Sequence, residues 1–201
     1  MLRKDFRMLK LEYLFENYEL AREALALWEH DEENLEEMLG YFRISSNAVY
    51  PFTREGRVCF LRLAPVGEKA ETDVRGELEF IRYLLKEGYP ALRPVRSLSG
   101  EDMVVADTGG GRYFVCVFEK VDGVEISETG YGREAMYAYG RALGRLHALS
   151  SGYVPAVRKR DHKKILEGIR RTLEEYGGCR QAFTELAAVE RELGRLPVTT
   201  E

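Results

Sequence analysis

The sequence has little cysteine and little histidine, and this argues against a metal site. Its three cysteines, Cys59, Cys116 and Cys179, are far apart and form no Cys-x-x-Cys pair, and its three histidines are equally scattered. A protein metal site needs clustered ligands. Cys59 and Cys116 lie inside apolar, strand-like stretches, where a free cysteine is usually a small buried hydrophobe.

Long apolar runs and an excess of basic charge are also missing. The longest apolar run, residues 113–118, is far shorter than the roughly 20 residues that cross a bilayer. The first five residues are largely charged and have no apolar core behind them, unlike a signal peptide. The net charge is −4, which gives no electrostatic footprint for nucleic acid. We therefore expect a cytoplasmic protein that partners neither nucleic acid nor membrane.

The patterns that are present predict helices at both ends of the chain and strands between them. Leu20, Ala24, Leu27 and Trp28 recur at helical spacing, and Asp31 is placed to cap a short second helix. Strands are expected at 49–52, 58–63, 95–98, 103–106 and 113–121, with one helix inserted at 69–87. Residues 135–149, 161–176 and 180–193 are helical again. Strands followed by helices alone indicate an α+β fold.

Two charged side chains in the strand and the helix that follows it are candidates for a site. Arg62 is a lone cation in an apolar strand, and a buried charge is costly unless it is paired. The alternative is an edge strand with Arg62 in water. Glu77 lies beside the apolar stripe of the next helix, where it either faces the sheet or is an ordinary solvated carboxylate.

Arg62 and Glu77 together resemble a feature of the protein-kinase-like fold, in the family of aminoglycoside phosphotransferases, homoserine kinases and choline or fructosamine kinases. Phe60-Leu61-Arg62-Leu63 is similar to the strand whose cation holds the nucleotide phosphates. The segment that begins at Glu77 is similar to the following helix, which supplies the glutamate partner of that cation. The resemblance implies a helical extension (1–40), an N-lobe with an antiparallel sheet and one long helix (41–117), a hinge (118–123) and part of a helical C-lobe (124–201).

The same resemblance implies where a nucleotide binds. Phe118, Glu119 and Val121 fall in the hinge, whose backbone groups hydrogen-bond the adenine edge in the family. Ser46 and Asn47 lie in the short loop that takes the place of a glycine-rich phosphate loop, where backbone N–H groups cradle phosphate.

Phe60 has two possible roles. It shares a face with Arg62, because side chains two apart on a strand point the same way. Its ring then stacks on adenine or simply packs in the core. The resemblance implies ATP or GTP with Mg2+ as the ligand, and the protein ligands of the Mg2+ are expected outside this chain.

Other features favour plainer interpretations. The triple glycine from Gly109 to Gly111 lies between two strands with no helix after it, which indicates a turn. His147 is interpreted as a packing position on a helix. The basic run from Arg158 to Lys164 is a solvated helix start, or else a contact for an anionic substrate.

The sequence lacks the loop that performs the chemistry in that family. No His-Gly-Asp-x-x-x-x-Asn segment occurs, whose Asp orients the acceptor and whose Asn holds magnesium. Three interpretations stay open: a truncated phosphotransferase for a small hydroxyl or amine compound, a naturally short nucleotide-binding or regulatory module, and an α+β interaction protein. A half-built helical lobe would leave an apolar face uncovered, which predicts self-association.

Overall fold

The computed structural model describes residues 18–157 and 162–195, and the basic residues Arg158, Lys159 and Arg160 lie outside them. The chain divides into two compact units, Met1–Tyr153 and Val154–Glu201. Strands and helices are both present, which confirms the α+β class. In the described ranges, no helix is both long enough and apolar enough to span a membrane.

The first unit contains a mixed set of helices and strands. In chain order they are α1 (Tyr18–Leu25), α2 (Leu35–Gly40), β1 (Arg43–Ile44), β2 (Ala48–Arg54), β3 (Arg57–Pro65), α3 (Glu71–Lys86), β4 (Pro94–Val95), β5 (Val104–Thr108), β6 (Gly111–Glu119), a short 3-10 helix (Ile126–Thr129) and α4 (Arg133–Gly152). The second unit contains α5 (His162–Tyr176) and α6 (Arg180–Leu193).

The sheet is antiparallel and has the order β1-β2-β3-β6-β4, with β5 also paired to β6. The strands expected at 95–98 and 103–106 do not pair with each other. The chain leaves the sheet after Val95, because Ser97 and Glu101 close a loop through a 2.8 Å backbone hydrogen bond and Leu98 donates its N–H to Leu27. Gly109 and Gly110 form the turn between β5 and β6, as expected.

The β2–β3 hairpin corrects the role expected for Asp31. Glu55 and Gly56 both have positive φ angles, 51° and 72°, as the tight turn of a two-residue hairpin requires. The Asp31 carboxylate accepts hydrogen bonds from their backbone N–H groups at 3.0 and 2.9 Å. Asp31 therefore caps a hairpin and not α2, whose N-cap position is taken by Asn34 without a side-chain bond.

Helices cover both faces of the sheet. On one face, α1, α2 and Trp28 pack against the buried side chains of Leu61, Leu63, Val115 and Val117, and Trp28 Nε1 donates to the carbonyl of Val95 at 2.9 Å. On the other face, α3 packs against the even-numbered residues of β6: Phe114, Cys116 and Phe118. Because β6 is buried on both sides, its sequence is continuously apolar instead of alternating.

Helix α4 forms hydrogen bonds to α3 and to the two residues that follow α3. Tyr83 donates to the carbonyl of Leu149 at 3.0 Å, and Arg145 donates to the carbonyls of Glu87 and Gly88 at the end of α3. None of the residues of α4 is buried. His147 is exposed, so its expected packing role is wrong.

The second unit is a helix hairpin. Leu166 of α5 and Leu186 of α6 are buried, and Arg170 forms an ion pair with Glu190 across the two helices.

Candidate functional site

Arg62 and Glu77 form an ion pair with two hydrogen bonds. Along β3, Cys59, Leu61 and Leu63 are buried against the α1 and α2 side, so Phe60 and Arg62 point to the opposite face. Helix α3 crosses that face and brings Glu77 to Arg62: Nη1–Oε1 is 2.6 Å and Nη2–Oε2 is 3.0 Å. The strand lies between β2 and β6, so it is not an edge strand. Glu77 is partly exposed but is paired with Arg62, so it is not an ordinary solvated carboxylate.

The surroundings of Arg62 keep it charged and fix its position. Burial by itself lowers the pKa of the guanidinium, but the hydrogen bonds and the charge of Glu77 outweigh burial and raise the pKa above its ordinary value. The Arg62 Cζ atom lies 5.0 Å from the centre of the Phe118 ring, within range of a cation–π interaction. Cys116 is paired with Arg62 across β3 and β6. Burial raises the pKa of the Cys116 thiol to about 11 although Arg62 acts to lower it, so this neighbour is a neutral thiol near pH 7.

Two aromatic rings lie one step nearer the hinge than Arg62. Phe60 and Phe118 are direct cross-strand partners, and paired residues share a face of the sheet. Phe118 is buried, whereas Phe60 keeps part of its surface exposed. The pair supplies an apolar surface next to the cation. That Phe60 stacks on a base stays a prediction.

In the predicted hinge segment, two backbone N–H groups are committed to the protein and that of Val121 is not. The N–H of Glu119 donates to the carbonyl of Arg93 at 2.9 Å, and the N–H of Lys120 donates to that of Val58 at 3.1 Å. The backbone N–H of Val121 makes no hydrogen bond to any described residue, and the Val121 side chain is exposed. The backbone N–H of Val121 is therefore available to donate to a ligand.

The β1–β2 turn lies at the end of β2 and β3 away from the predicted hinge. The N–H of Ser45 donates to the carbonyl of Asn47 at 2.9 Å, which closes a tight turn around Ser46. Within the part of the chain that the structure describes, the N–H groups of Ser46 and Asn47 have no backbone acceptor. Free N–H groups near a fixed cation suit an oxyanion such as phosphate.

Sequence reasoning missed the residues of β2 that complete this face. Val49 and Pro51 lie opposite Arg62 and Phe60, and they alternate with the buried Ala48, Tyr50 and Phe52. The period of two was visible in the sequence, but the register between strands was not. Residues 18–157 and 162–195 contain no group of three or more carboxylate, cysteine or histidine side chains that could hold a metal ion.

Comparisons with known proteins point to one family. A model described as the phosphotransferase enzyme family matches residues 43–198. A curated relative, amicoumacin kinase from Bacillus subtilis (strain 168), is 27% identical over 159 residues, which are 76% of this chain and 46% of that protein. A solved structure of amicoumacin kinase hAmiN in complex with AMP-PNP, Ca2+ and Ami superimposes with a TM-score of 0.71 at 21% identity and covers 96% of this chain and 58% of that one. The chain thus spans about half the length of the curated relative.

Proposed function

Because the chain belongs to the phosphotransferase enzyme family, we propose that it binds a nucleoside triphosphate and forms the nucleotide-binding half of a kinase that acts on a small molecule. The observation that carries the proposal is the ion pair of Arg62 with Glu77 at 2.6 and 3.0 Å, on the face of the sheet that α3 crosses. The family match alone indicates only the class of reaction, phosphoryl transfer. The ion pair is the feature of this chain that such a reaction requires.

Each part of the face takes a role in binding ATP or GTP. Val121 donates its N–H to the base edge, and Phe60 stacks on the base. Arg62 neutralises phosphate charge while Glu77 holds its guanidinium in place, and the turn at Ser46 and Asn47 donates N–H groups to phosphate oxygens. These assignments follow the order of the residues along β3, from the hinge end to the turn end.

The reaction proposed for the intact enzyme transfers the terminal phosphoryl group to a hydroxyl or amine of a small acceptor. Mg2+ would neutralise phosphate charge when bound, with ligands outside the described residues. Phosphoryl transfer depends on positioning and charge neutralisation, and the described residues supply the positioning of the nucleotide. The proposal also implies a cytoplasmic enzyme, since its nucleotide is a cytoplasmic metabolite.

Isothermal titration calorimetry and thermal unfolding with MgATP and MgGTP test the proposal. A ligand at 100 times its dissociation constant stabilises the native state by about 2.7 kcal/mol, so a bound nucleotide raises the unfolding temperature clearly. Arg62→Ala is expected to weaken binding at least tenfold. The control Arg75→Ala removes a cation from the same helix as Glu77, where Arg75 pairs with the exposed Glu71, and leaves affinity unchanged. Absence of binding by the unaltered chain refutes the proposal.

Self-association is a separate part of the proposal. Met136, Tyr139 and Leu143 follow helical spacing on α4 and are all exposed, and an uncovered apolar stripe favours contact with another copy of the chain. Sedimentation velocity is expected to show a concentration-dependent dimer that Leu143→Glu abolishes. A monomer at the highest soluble concentration contradicts this.

A further inference from the structure

A second arginine belongs to the same cross-strand row as Arg62. Arg43 of β1 pairs with Val49 of β2, Val49 pairs with Arg62 of β3, and Arg62 pairs with Cys116 of β6. Residues that pair directly across strands share a face of the sheet. The side chains of Arg43 and Arg62 are therefore on one face, two strands apart, which is about 10 Å at the usual strand spacing.

The position of this row along the strands selects the part of a nucleotide that it meets. The hinge joins β3 at Val58, where Lys120 donates its N–H. Phe60 follows, and Arg62 lies two residues further, about 7 Å along the strand. The β1–β2 turn closes the far end. A nucleotide with its base at the hinge thus extends its phosphates toward the row of Arg43 and Arg62.

The two arginines differ in how their charge is balanced. Arg62 is largely buried, and its charge is matched by Glu77. Arg43 is exposed, and in the described part of the chain it has neither an ion pair nor a side-chain hydrogen bond. An unmatched guanidinium is well suited to phosphate, because its planar fork donates two hydrogen bonds to one phosphate group.

We propose that Arg43 is a second phosphate-binding cation of this face, which contacts the outer phosphates of a nucleoside triphosphate from β1 while Arg62 contacts them from β3. The inference rests on the proposed function, since it assumes that a nucleotide binds here. It adds a residue on the edge strand that supplies the net positive charge lacking in the Arg62–Glu77 pair. The loss of affinity caused by removing Arg43 should therefore increase with the number of phosphates on the ligand.

The experiment measures binding of ATP, ADP and AMP by titration calorimetry to the unaltered chain, Arg43→Gln and Arg57→Gln. Arg57 is the matched control, since it is an exposed arginine of the same sheet whose position on β3 alternates with Arg62 and so faces the other way. Arg43→Gln is expected to weaken ATP about tenfold, ADP less and AMP less than twofold, in line with a charge-assisted hydrogen bond partly screened by solvent. Arg57→Gln should leave all three unchanged.

The outcomes separate this inference from the proposed function. If ATP binds the unaltered chain and Arg43→Gln binds it equally well, Arg43 has no such role while the proposed function stands. An equal loss for ATP and AMP also overturns the inference, because the contact would then not be with the outer phosphates. If no nucleotide binds the unaltered chain, both fail. Trp28 fluorescence, which reports the buried core on the other face, shows whether each variant is folded.

Discussion

The ion pair of Arg62 with Glu77 should be worth more to stability than its neighbours on the surface of the same helix. Glu77→Gln removes the carboxylate and leaves the Arg62 guanidinium without its charge partner. The Arg62 side chain is only 14% exposed, whereas that of Glu77 is 44% exposed. Water can therefore replace Arg62 around Glu77 more easily than it can replace Glu77 around Arg62.

The expected magnitudes follow from this difference in exposure. Breaking a fully buried pair costs about 3–5 kcal/mol, and an exposed pair is worth about 0–1 kcal/mol. With one partner buried and the other half exposed, we expect Glu77→Gln to cost about 1–2 kcal/mol of unfolding free energy. Arg62→Met keeps much of the apolar stem against Phe118 and should cost less, about 1 kcal/mol at most.

The assay is urea unfolding followed by the fluorescence of Trp28, the single tryptophan of the chain, for both variants and for the double variant. Glu71→Gln is the matched control: Glu71 lies on α3 and pairs with Arg75, with side chains 51% and 49% exposed. It should cost about 0.3–0.5 kcal/mol. A coupling energy between Arg62 and Glu77 below about 0.5 kcal/mol, the usual error of additivity, would refute the reasoning.

Two further predictions concern groups outside the site. The hydrogen bond from the backbone N–H of Gly56 has the largest effect on the pKa of Asp31. Together with the bond from the N–H of Glu55, it holds this pKa below its ordinary value. Asp31 thus stabilises the fold above pH ~4, where the unfolded carboxyl is ionised, and this contribution is lost as pH falls through its lowered pKa. Asp31→Asn should lower the urea midpoint at pH 7, with the difference shrinking toward pH 3; a difference independent of pH contradicts this. Iodoacetamide should label Cys179 alone in the native chain, because Cys59 and Cys116 are buried. In urea it should label all three thiols, and mass spectrometry of peptides identifies which cysteines are labelled.

The sequence was sufficient for features set by local periodicity. The strand around Arg62 and the helix around Glu77 each follow their own repeat, so both elements could be predicted, while the pairing of the two side chains was predicted only from the family resemblance. The helical stripe at Leu20 and Ala24 was equally local. Such features depend on residues within one or two turns of each other.

Features set by pairing between distant segments could not be inferred. Asp31 was assigned to its nearest helix, yet it binds a turn 24 and 25 residues away. The role proposed for Arg43 depends on the strand register that aligns it with Val49 and Arg62. Ser97 was assigned to a strand because its apolar neighbours follow a strand pattern, whereas its hydrogen bonds turn the chain out of the sheet.

The helices α1 and α2 have a consequence for how the protein can be dissected. The family match begins at residue 43, after both helices. Yet Leu25, Trp28 and Leu39 fill the core beneath β3 and β6, and burial of each large apolar side chain contributes about 1.5–3 kcal/mol. A fragment cut where homology starts would present the underside of its sheet to solvent and aggregate. The segment that matches the family and the segment that can fold therefore begin at different residues.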